Sequence, residues 1–328
     1  MKRVSIFLAL VCVAFSAEGY RLLKKYPVPG DGGWDYLTVD SAARRIYVSH
    51  GTQVQVLDED SGAVLASIPG KGVHGIALAA TAGRGFITNG TGDSVTVFDL
   101  KTLQPAGEIP TGKKPDAILY DDFTRLVFAN NADSGTSTAI DTTTAKAVGT
   151  VELGGAPEAS ASDGKGFVFT NIEDKSELVK IDAKALKVVA RGTLDPCQQP
   201  SALTIDRVSR RLYVGCRNKV MVVVDADSGK VVASAPIGDH VDAAVFDAAT
   251  RTVFFSNQDG TMNVFQAESP DRVRLVETAQ TGQGAKTMAF DPKTKQAFLA
   301  TAEYGEAPAG KKGRAMKPGS FAVLVMSR

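Results

Sequence analysis

One pattern repeats seven times along this chain of 328 residues. Each copy starts with a short apolar strand, as in GWDYLTVD, KPDAILYD, QPSALTID and HVDAAVFD, and continues through an aromatic and β-branched strand to a third strand such as VQVLDEDSG. The spacings between the ends of successive first strands are 39, 42, 42, 43, 41 and 44 residues, for strands that end at Asp40, Ala79, Asp121, Asp163, Asp206, Asp247 and Asp291. A period of about 40 to 45 residues with several short strands per repeat is typical of circular, bladed architectures.

The repeats therefore predict an all-β fold, a seven-bladed β-propeller. The seventh copy stops after its third strand, while the segment RLLKKYPV (21–28) has strand character and belongs to no blade of its own. We expect this N-terminal strand to pair with the C-terminal FAVLVMSR and close the ring, which leaves no open sheet edge. The expected blades of this single domain (20–328) are residues 32–70, 72–112, 113–155, 156–199, 200–239, 240–282 and 284–328.

The N-terminal segment has the layout of a secretory signal peptide. In MKRVSIFLALVCVAFSAEG, two basic residues precede an apolar run, and small residues follow. We expect residues 1–19 to be removed by cleavage near residues 16 to 19, because the apolar run is too short for a membrane span. The expected location of the mature chain is the periplasm or the exterior.

Charge and motif content exclude several classes of protein. Lys and Arg number 37 against 36 Asp and Glu, so loss of the two basic residues of the signal peptide leaves the chain close to neutral. A near-neutral chain without basic runs argues against nucleic acid or an anionic membrane as the main partner. The sequence contains no G-x-S-x-G elbow, P-loop, H-E-x-x-H or C-x-x-C motif.

The second strands carry the tetrapeptide-like sequences FITN, FTN and FSN. In these strands the chain resembles the YVTN-repeat propellers, the YncE-like proteins of bacteria, and the resemblance covers essentially everything after the predicted signal peptide. It implies an exported propeller of a family described as mostly of undefined function, with nucleic-acid binding suggested for some members. Neighbouring propeller families include lactonases and enzymes that use haem or quinone. Function must therefore be argued from the site rather than from the fold.

Polar residues recur where the chain enters each innermost strand, on the face of a propeller that is called the top. They vary from blade to blade, as positions left free for a site would, although polar groups there can also simply meet water in the channel. The candidate binding residues are Asp35, His74, Asp116, Glu158, Ser201, Asp242 and Lys286 in this ring, with Trp34, His50 and His240 beside it.

Histidine together with carboxylates can hold a zinc-like ion or act as a general base. The candidate metal ligands are Asp35, His50, His74, Asp116, Glu158 and Asp242. No two histidines have a local ligand spacing, so we predict no cofactor and keep a divalent metal as the alternative. Trp34 either fills a gap between blades or stacks on a ligand.

Two further sets of polar residues have a structural interpretation. The second strands end at His50, Asn89, Asn130, Asn171, Cys216, Asn257 and Thr301, and the asparagines of this set are interpreted as shaping the turn that follows. The aspartates that end third strands map to the opposite face and are interpreted as turn formers: Asp58, Asp99, Asp141, Asp182 and Asp225.

The seventh blade replaces a short turn with EYGEAPAGKKGRAMKPGS, residues 303–320. Its Gly, Pro and Ala content predicts an irregular loop. The loop carries Lys311, Lys312, Arg314 and Lys317, and is either a solvated excursion or a basic lid over an acidic mouth.

Cys197 and Cys216 flank the first two strands of blade five, in loops of the same face. A metal pair would need histidines nearby, and none lies in this blade, while a redox couple is usually closer in sequence. Because exported proteins can keep disulfides, we predict a structural disulfide that stabilises the fold by about 3 kcal/mol.

Two functions follow from these observations. The favoured one is a non-catalytic binding or interaction module whose top face takes a small molecule, a cell-envelope component or a protein. The alternative is a metal-assisted hydrolase of the lactonase type, in which ring residues hold a divalent ion that activates water. Single-stranded nucleic-acid binding ranks last, because the chain lacks a positive groove with interleaved aromatics. A closed ring has no free edge, so a monomer is expected.

Overall fold

Seven four-stranded antiparallel sheets form from the seven repeats. The computed structural model describes residues 19–30, 32–306 and 314–328. Six sheets are built from four consecutive strands, and the seventh joins three strands of the last repeat to the first strand of the described chain. The predicted signal peptide lies outside the described residues, except for its last residue.

The strands follow the repeats in chain order. The closing strand and blades 1 to 3 comprise β1 (Arg21–Pro27); β2 (Trp34–Asp40), β3 (Arg45–His50), β4 (Gln53–Asp58) and β5 (Val64–Pro69); β6 (Val73–Ala79), β7 (Arg84–Asn89), β8 (Ser94–Asp99) and β9 (Pro105–Pro110); and β10 (Pro115–Asp121), β11 (Leu126–Asn131), β12 (Thr136–Asp141) and β13 (Lys146–Glu152).

Blades 4 to 7 comprise β14 (Pro157–Ser162), β15 (Phe167–Ile172), β16 (Glu177–Asp182) and β17 (Lys187–Thr193); β18 (Pro200–Asp206), β19 (Arg211–Cys216), β20 (Val220–Asp225) and β21 (Val231–Pro236); β22 (Val241–Asp247), β23 (Thr252–Asn257), β24 (Thr261–Ser269) and β25 (Arg272–Gln280); and β26 (Met288–Asp291), β27 (Gln296–Thr301), the short strands β28 (Tyr304–Glu306) and β29 (Arg314–Met316), and β30 (Ala322–Ser327). Two single-turn 3₁₀ helices, Ala80–Ala82 and Glu173–Lys175, are the helices of the described ranges. Neither is long and apolar enough to cross a membrane.

The core consists of seven hydrophobic clusters, one between each pair of neighbouring blades. Successive residues of a middle strand serve different clusters: Val127 and Ala129 of β11 pack towards blade 2, and Phe128 packs towards blade 4. This follows from the two-residue period of a strand, and explains why the middle strands are buried at nearly every position. The outer strands, such as β13, are mostly exposed.

The ring is closed as the sequence predicts. β1 pairs antiparallel with β30, and the seventh sheet runs β1, β30, β27, β26 from its outer edge to the channel. Tyr26 and Val28 enter the cluster between blades 7 and 1, and the Tyr26 hydroxyl donates to the main-chain oxygens of Glu59 and Asp60, each at 2.9 Å. Gly62 is required at this contact, since a Cβ there would lie 2.2 Å from the Tyr26 ring. The seven-bladed propeller is thus confirmed.

The aspartates at the ends of the third strands form turns on the bottom face, as the sequence interpretation holds. Each accepts at least one main-chain N–H from the turn that follows; the residues are Asp58, Asp99, Asp141, Asp182 and Asp225. These carboxylates therefore belong to the scaffold of the bottom face.

The long connection of blade 7 differs from its prediction. Instead of being irregular throughout, its described ends pair as the strands β28 and β29. At its base Glu303 accepts from Lys25 at 3.3 Å and from Lys317 at 3.5 Å. Lys311, Lys312 and the side chain of Arg314 lie outside the described residues, so the lid interpretation stays a prediction.

A buried ion cluster joins blades 7 and 1 at the bottom of the ring. One guanidinium nitrogen of Arg44 contacts Glu59 at 2.7 Å and Asp291, the last residue of β26, at 3.1 Å. Both carboxyl groups are fully buried. Burial, a hydrogen bond with Asp291 and the charge of Asp291 raise the pKa of Glu59 to about 7. Near neutral pH and below, Glu59 therefore keeps its proton and Asp291 carries the charge.

The variant Glu59→Gln tests this cluster. Glu59 ionises near pH 7 in the folded chain but near its ordinary value of 4.5 when unfolded, so the stability it contributes is complete below about pH 4.5 and is lost as the pH rises to 7. The loss amounts to about 3 kcal/mol. We expect the stability of Glu59→Gln relative to the wild type to rise by that amount between pH 4.5 and 8, as measured by urea unfolding.

The exposed Glu152→Gln is the control for this series, because it removes a carboxylate from the surface strand β13. Its difference from the wild type should show no such rise. A Glu59→Gln difference that stays constant across the same pH range would contradict the assignment.

Candidate binding site at the channel mouth

The ring residues owe their direction to a repeated irregularity of the innermost strands. In blades 1 to 6 the register between the innermost and second strands shifts at the ring position; the shifts fall at Trp34/Leu37, Val73/Ile76, Pro115/Ile118, Pro157/Ser160, Pro200/Ala202 and Val241/Ala243. A bulge of this kind interrupts the ladder and re-aims a side chain. The ring side chain therefore does not follow the alternation between the two faces of the sheet that the rest of the strand shows.

The main chain at four ring positions is held by a side chain of the preceding blade. That side chain donates to the carbonyl oxygen of the ring residue in the pairs Thr88 with Asp116, Asn130 with Glu158, Ser256 with Lys286 and Thr287 with Asp35. These bonds use the ring residue's backbone only. The ring side chains are therefore left free for interactions in the channel.

On one side of the mouth, charged groups of alternating sign form a continuous chain. His74 Nδ1 lies 2.7 Å from Asp35 Oδ2 and 3.6 Å from Asp116 Oδ1. Lys286 Nζ lies 3.6 Å from the other oxygen of Asp35 and makes a close ion pair with Asp242. Five residues from blades 1, 2, 3, 6 and 7, all of them candidates from the sequence, are thus brought together; the sequence left open whether these side chains would converge.

Blade 5 contributes differently from the prediction. Ser201 is fully buried and its hydroxyl donates to the carbonyl oxygen of the next blade at 2.6 Å, so it lies outside the charged chain. Arg217 takes its place, with contacts to Glu173 at 2.8 Å, Asp242 at 3.6 Å and Glu158 at 4.0 Å. The sequence analysis missed Arg217. Its position directly after a top-face strand end is the signal that was available.

The predicted disulfide between Cys197 and Cys216 is confirmed. The Cα atoms are 5.5 Å apart, and both residues are buried in the cluster between blades 4 and 5. The bond ties the loop that precedes β18 to the end of β19. Since Arg217 follows Cys216 directly, the disulfide also fixes the start of the segment that carries this cation into the mouth.

Tyr36 is a second residue that the sequence analysis missed. Its hydroxyl donates to Glu158 Oε2 at 3.5 Å, and its side chain lines a channel cavity of about 160 Å³ below the charged groups. Small and apolar residues form much of the wall of this cavity, including Gly75, Ala117 and Ala159. The polar Thr38, Ser160 and Asp242 also belong to this wall, so the mouth is a charged rim above a channel of mixed polar and apolar lining.

The pKa values at the mouth reflect crowding of carboxylates in a desolvated place. Burial and the charge of Asp35 raise the pKa of Asp116 to about 6. Burial, then the charges of Asp116 and Asp242, raise the pKa of Glu158 well above its ordinary value. Burial also raises the pKa of Asp35, but the hydrogen bond of His74 and the charge of Lys286 outweigh it and lower that pKa. Burial and neighbouring negative charge therefore favour the protonated forms of Asp116 and Glu158.

Two other candidates pack in the core at the junction of blades 7 and 1. Trp34 stacks on Phe321, with ring centroids 5.1 Å apart, and His50 packs against the same phenylalanine at 4.2 Å. His50 is 2% exposed, and its Nδ1 pairs with Gln55 at 2.8 Å. The structure thus places Trp34 and His50 outside the charged chain.

His240 lies on the rim between the mouth and a larger cavity. Its side chain is 60% exposed, and its Nδ1 is 2.9 Å from Asp239. It lines both a rim cavity of about 480 Å³, which reaches Tyr304, and a smaller cavity of about 190 Å³ whose wall includes Arg217 and Lys286. The rim cavity therefore adjoins the cavity at the charged mouth, with His240 and Gln258 in the walls of both.

The set of second-strand ends needs a one-residue correction in blades 3 and 4. The residues that pair like Asn89 are Asn131 and Ile172, rather than the neighbouring Asn130 and Asn171. Asn89 and Asn131 bond to hydroxyls of the third strand within their own blade, as expected of residues that shape a turn. Asn130 and Asn171 instead donate to main-chain carbonyls of the next blade.

Fold and site together define this chain as a seven-bladed β-propeller with a charged channel mouth. No protein family model and no curated protein matches its sequence. Among solved structures it is similar to a chain of hydrazine synthase from Kuenenia stuttgartiensis, at 15% identity and a TM-score of 0.73, over 83% of this chain and 94% of that chain.

Two further structures are similar to almost the whole chain. U3-55K has 11% identity and a TM-score of 0.76, over 93% of this chain and 98% of that one. A chain of the mitotic checkpoint complex has 14% identity and a TM-score of 0.74, over 91% and 95%. At these identities the likenesses confirm the propeller fold and carry no activity. The YVTN resemblance rests on the strand sequences alone.

The variant Asp35→Asn tests the chain of charges. The hydrogen bond to Asp35 is the largest influence that raises the pKa of His74 above its ordinary value of 6.5, and the charge of Asp116 adds to it. We expect an NMR titration of the His74 ring to have its midpoint above pH 6.5 in the wild type and a lower one in Asp35→Asn. Asp122→Asn, which replaces an exposed aspartate on the bottom face, should leave it unchanged, and an unshifted midpoint in Asp35→Asn would refute the contact.

Proposed function

We propose that this chain is an exported propeller of the YVTN type that binds a ligand or partner through its channel mouth. The observation that carries the proposal is the convergence of ring side chains from six blades, joined by Arg217, into one charged chain beside open cavities. Burying ion pairs is costly and rarely repaid in stability alone, so a cluster of this size favours a functional role.

Export and family membership are the finer parts of the proposal. Export is supported by the arrangement of residues 1–19 and by a disulfide, which suits an oxidising compartment. The YVTN type is supported by the strands that contain FITN, FTN and FSN. Protein partners are consistent with the similarity to a chain that belongs to a complex, the mitotic checkpoint complex.

A paired-charge variant tests binding at the mouth. Replacing Asp242 by Asn and Lys286 by Met removes an ion pair of the mouth without changing the net charge. The matched control replaces Asp247 by Asn and Lys295 by Met, an inter-blade pair on the bottom face. Residues 20–328 are screened by ligand-observed NMR against small molecules and soluble cell-envelope fragments. We expect ligands whose affinity falls by about tenfold or more in the mouth variant and is retained in the control.

Failure of this screen has a clear form. If no compound binds the wild type in a manner sensitive to the mouth variant, the proposed function is wrong. Equal losses in both variants would show that the effect comes from loosened packing between blades.

A second candidate function is metal-assisted hydrolysis, favoured by one arrangement. Donor atoms of Asp35, His74 and Asp116 lie within 4.8 Å of one another, and one imidazole nitrogen with two carboxylates suits zinc or a similar ion. Such an ion would supply an activated water, with these three residues as its ligands. The ammonium of Lys286, 3.6 Å from Asp35, would have to move aside.

Elemental analysis decides the metal question. The protein is purified without chelators or affinity metals, and compared with His74→Ala and Asp116→Ala variants. Stoichiometric metal in the wild type that is lost from both variants would support the hydrolase. A wild type without stoichiometric metal that also takes up none on dialysis against zinc would refute it.

A further inference from the structure

We propose that the channel mouth recognises a primary ammonium group attached to a short hydrocarbon chain, with the ammonium between Asp116 and Glu158 and the chain in the cavity below. The inference rests on the proposed function, because it names the ligand class of the same site. Three observations carry it: the charge balance of the mouth, the place where that balance fails, and the shape and lining of the space beneath.

The mouth holds more negative than positive charge. Its described carboxylates are Asp35, Asp116, Glu158, Glu173 and Asp242, and its cations are Lys286, Arg217 and, when protonated, His74. When all eight groups are ionised, five negative and three positive charges leave a net charge of minus two. In a partly desolvated place such an excess favours binding of a cation.

The excess is concentrated on the side of blades 3 and 4. Asp242 and Glu173 each have a cation in direct contact, Lys286 and Arg217 respectively. By contrast, the nearest ion-pair partner that the described residues offer to Asp116 is His74, at 3.6 Å, and the nearest offered to Glu158 is an arginine nitrogen at 4.0 Å. The two carboxylates are also 16% and 15% exposed, so a ligand can reach them.

The group that fits between them is an ammonium. It has three donors on one atom, and three acceptors are at hand in the carboxylates of Asp116 and Glu158 and the hydroxyl oxygen of Tyr36, whose proton is directed to Glu158. The Tyr36 ring adds an aromatic wall to the channel.

The space beneath selects what the ammonium is attached to. The cavity of about 160 Å³ lies directly under these carboxylates, since its lining residues Ala117 and Ala159 are the next residues of the same strands. A single water needs about 10 to 15 Å³ of such space, so several carbon atoms fit. The lining is mixed, and its apolar part, which includes Ile118, Leu203 and Met288, is the surface that a short run of methylene groups would contact.

The experiment is an NMR titration of residues 20–328 with n-propylamine, n-butylamine and n-pentylamine, and with butan-1-ol and butyrate as isosteric probes without the positive charge. We expect the amines to bind, with affinity rising roughly fourfold for each methylene buried, and the alcohol and butyrate to bind at least about tenfold more weakly. Equal binding of butyrate or butan-1-ol would overturn the proposal.

Variants locate the site. Asp116→Asn and Glu158→Gln keep the shape and remove one charge each, and should weaken butylamine binding by about tenfold. Because each relieves repulsion between carboxylates, neither should lower the unfolding temperature. Asp122→Asn, on an exposed bottom-face turn of the same blade as Asp116, is the matched control and should bind as the wild type does. Loss of binding in this control to the same extent would overturn the site.

A fourth variant probes the channel. Ala159→Leu fills the cavity, and should abolish the gain with chain length while n-propylamine still binds. Unaltered dependence on chain length would show that the hydrocarbon lies elsewhere. If no amine binds, but a ligand of another class is lost in the Asp242/Lys286 variant, only the ammonium inference fails; if no ligand depends on the mouth, the proposed function fails as well.

Discussion

The hydrogen-bonded pairing of β1 with β30 is the contact on which the rest of the molecule depends. It joins residues about 300 positions apart, so bringing them together has a large entropic cost. The contacts that offset this cost form only when all blades are in place. Asp35 belongs to the first blade and Lys286 to the last, and these two meet only in a closed ring. The charged mouth is thus a product of ring closure, and any opening between blades 7 and 1 would separate its members.

The mouth itself shows that charge, rather than shape alone, distinguishes the two ends of the channel. At the bottom, aspartates accept hydrogen bonds from the turns that follow them or form ion pairs between blades. At the top, bulges aim carboxylates and cations at one another across blades, and the pairing is incomplete on one side. Incomplete pairing in a desolvated position has a free-energy cost, which a bound cation would relieve.

The fold could be predicted almost completely from the sequence, because period, strand alternation and the missing outer strand are properties of the chain itself. The ring positions could be proposed as well, since aligning the seven repeats marks the residue at which each innermost strand begins. The predictions that failed were those that required the register of a strand to within one residue, or knowledge of which side chains of different blades lie close together. The doublet Asn130–Asn131 offers two equivalent readings of the strand end, and only the ladder decides between them.

Arg217 and Tyr36 escaped prediction for the same reason. Neither occupies the repeated ring position, and their importance arises from ion pairs and contacts between different blades. Ser201 occupies the ring position, but its side chain is short, and its hydroxyl donates to the nearby carbonyl oxygen of Val241 in the next blade. A one-dimensional repeat specifies where the backbone goes. It does not specify which side chains reach the axis.

The backbone bonds between blades have a consequence for how such a protein can diversify. Because a neighbour's Thr, Ser or Asn holds the carbonyl of a ring residue, the identity of that ring residue has little influence on the scaffold. The side chain at each of these four mouth positions can then be replaced without refolding its blade. A propeller built this way can acquire a new binding specificity by one substitution at a time, and directed evolution confined to these positions would change the ligand while the backbone stays the same.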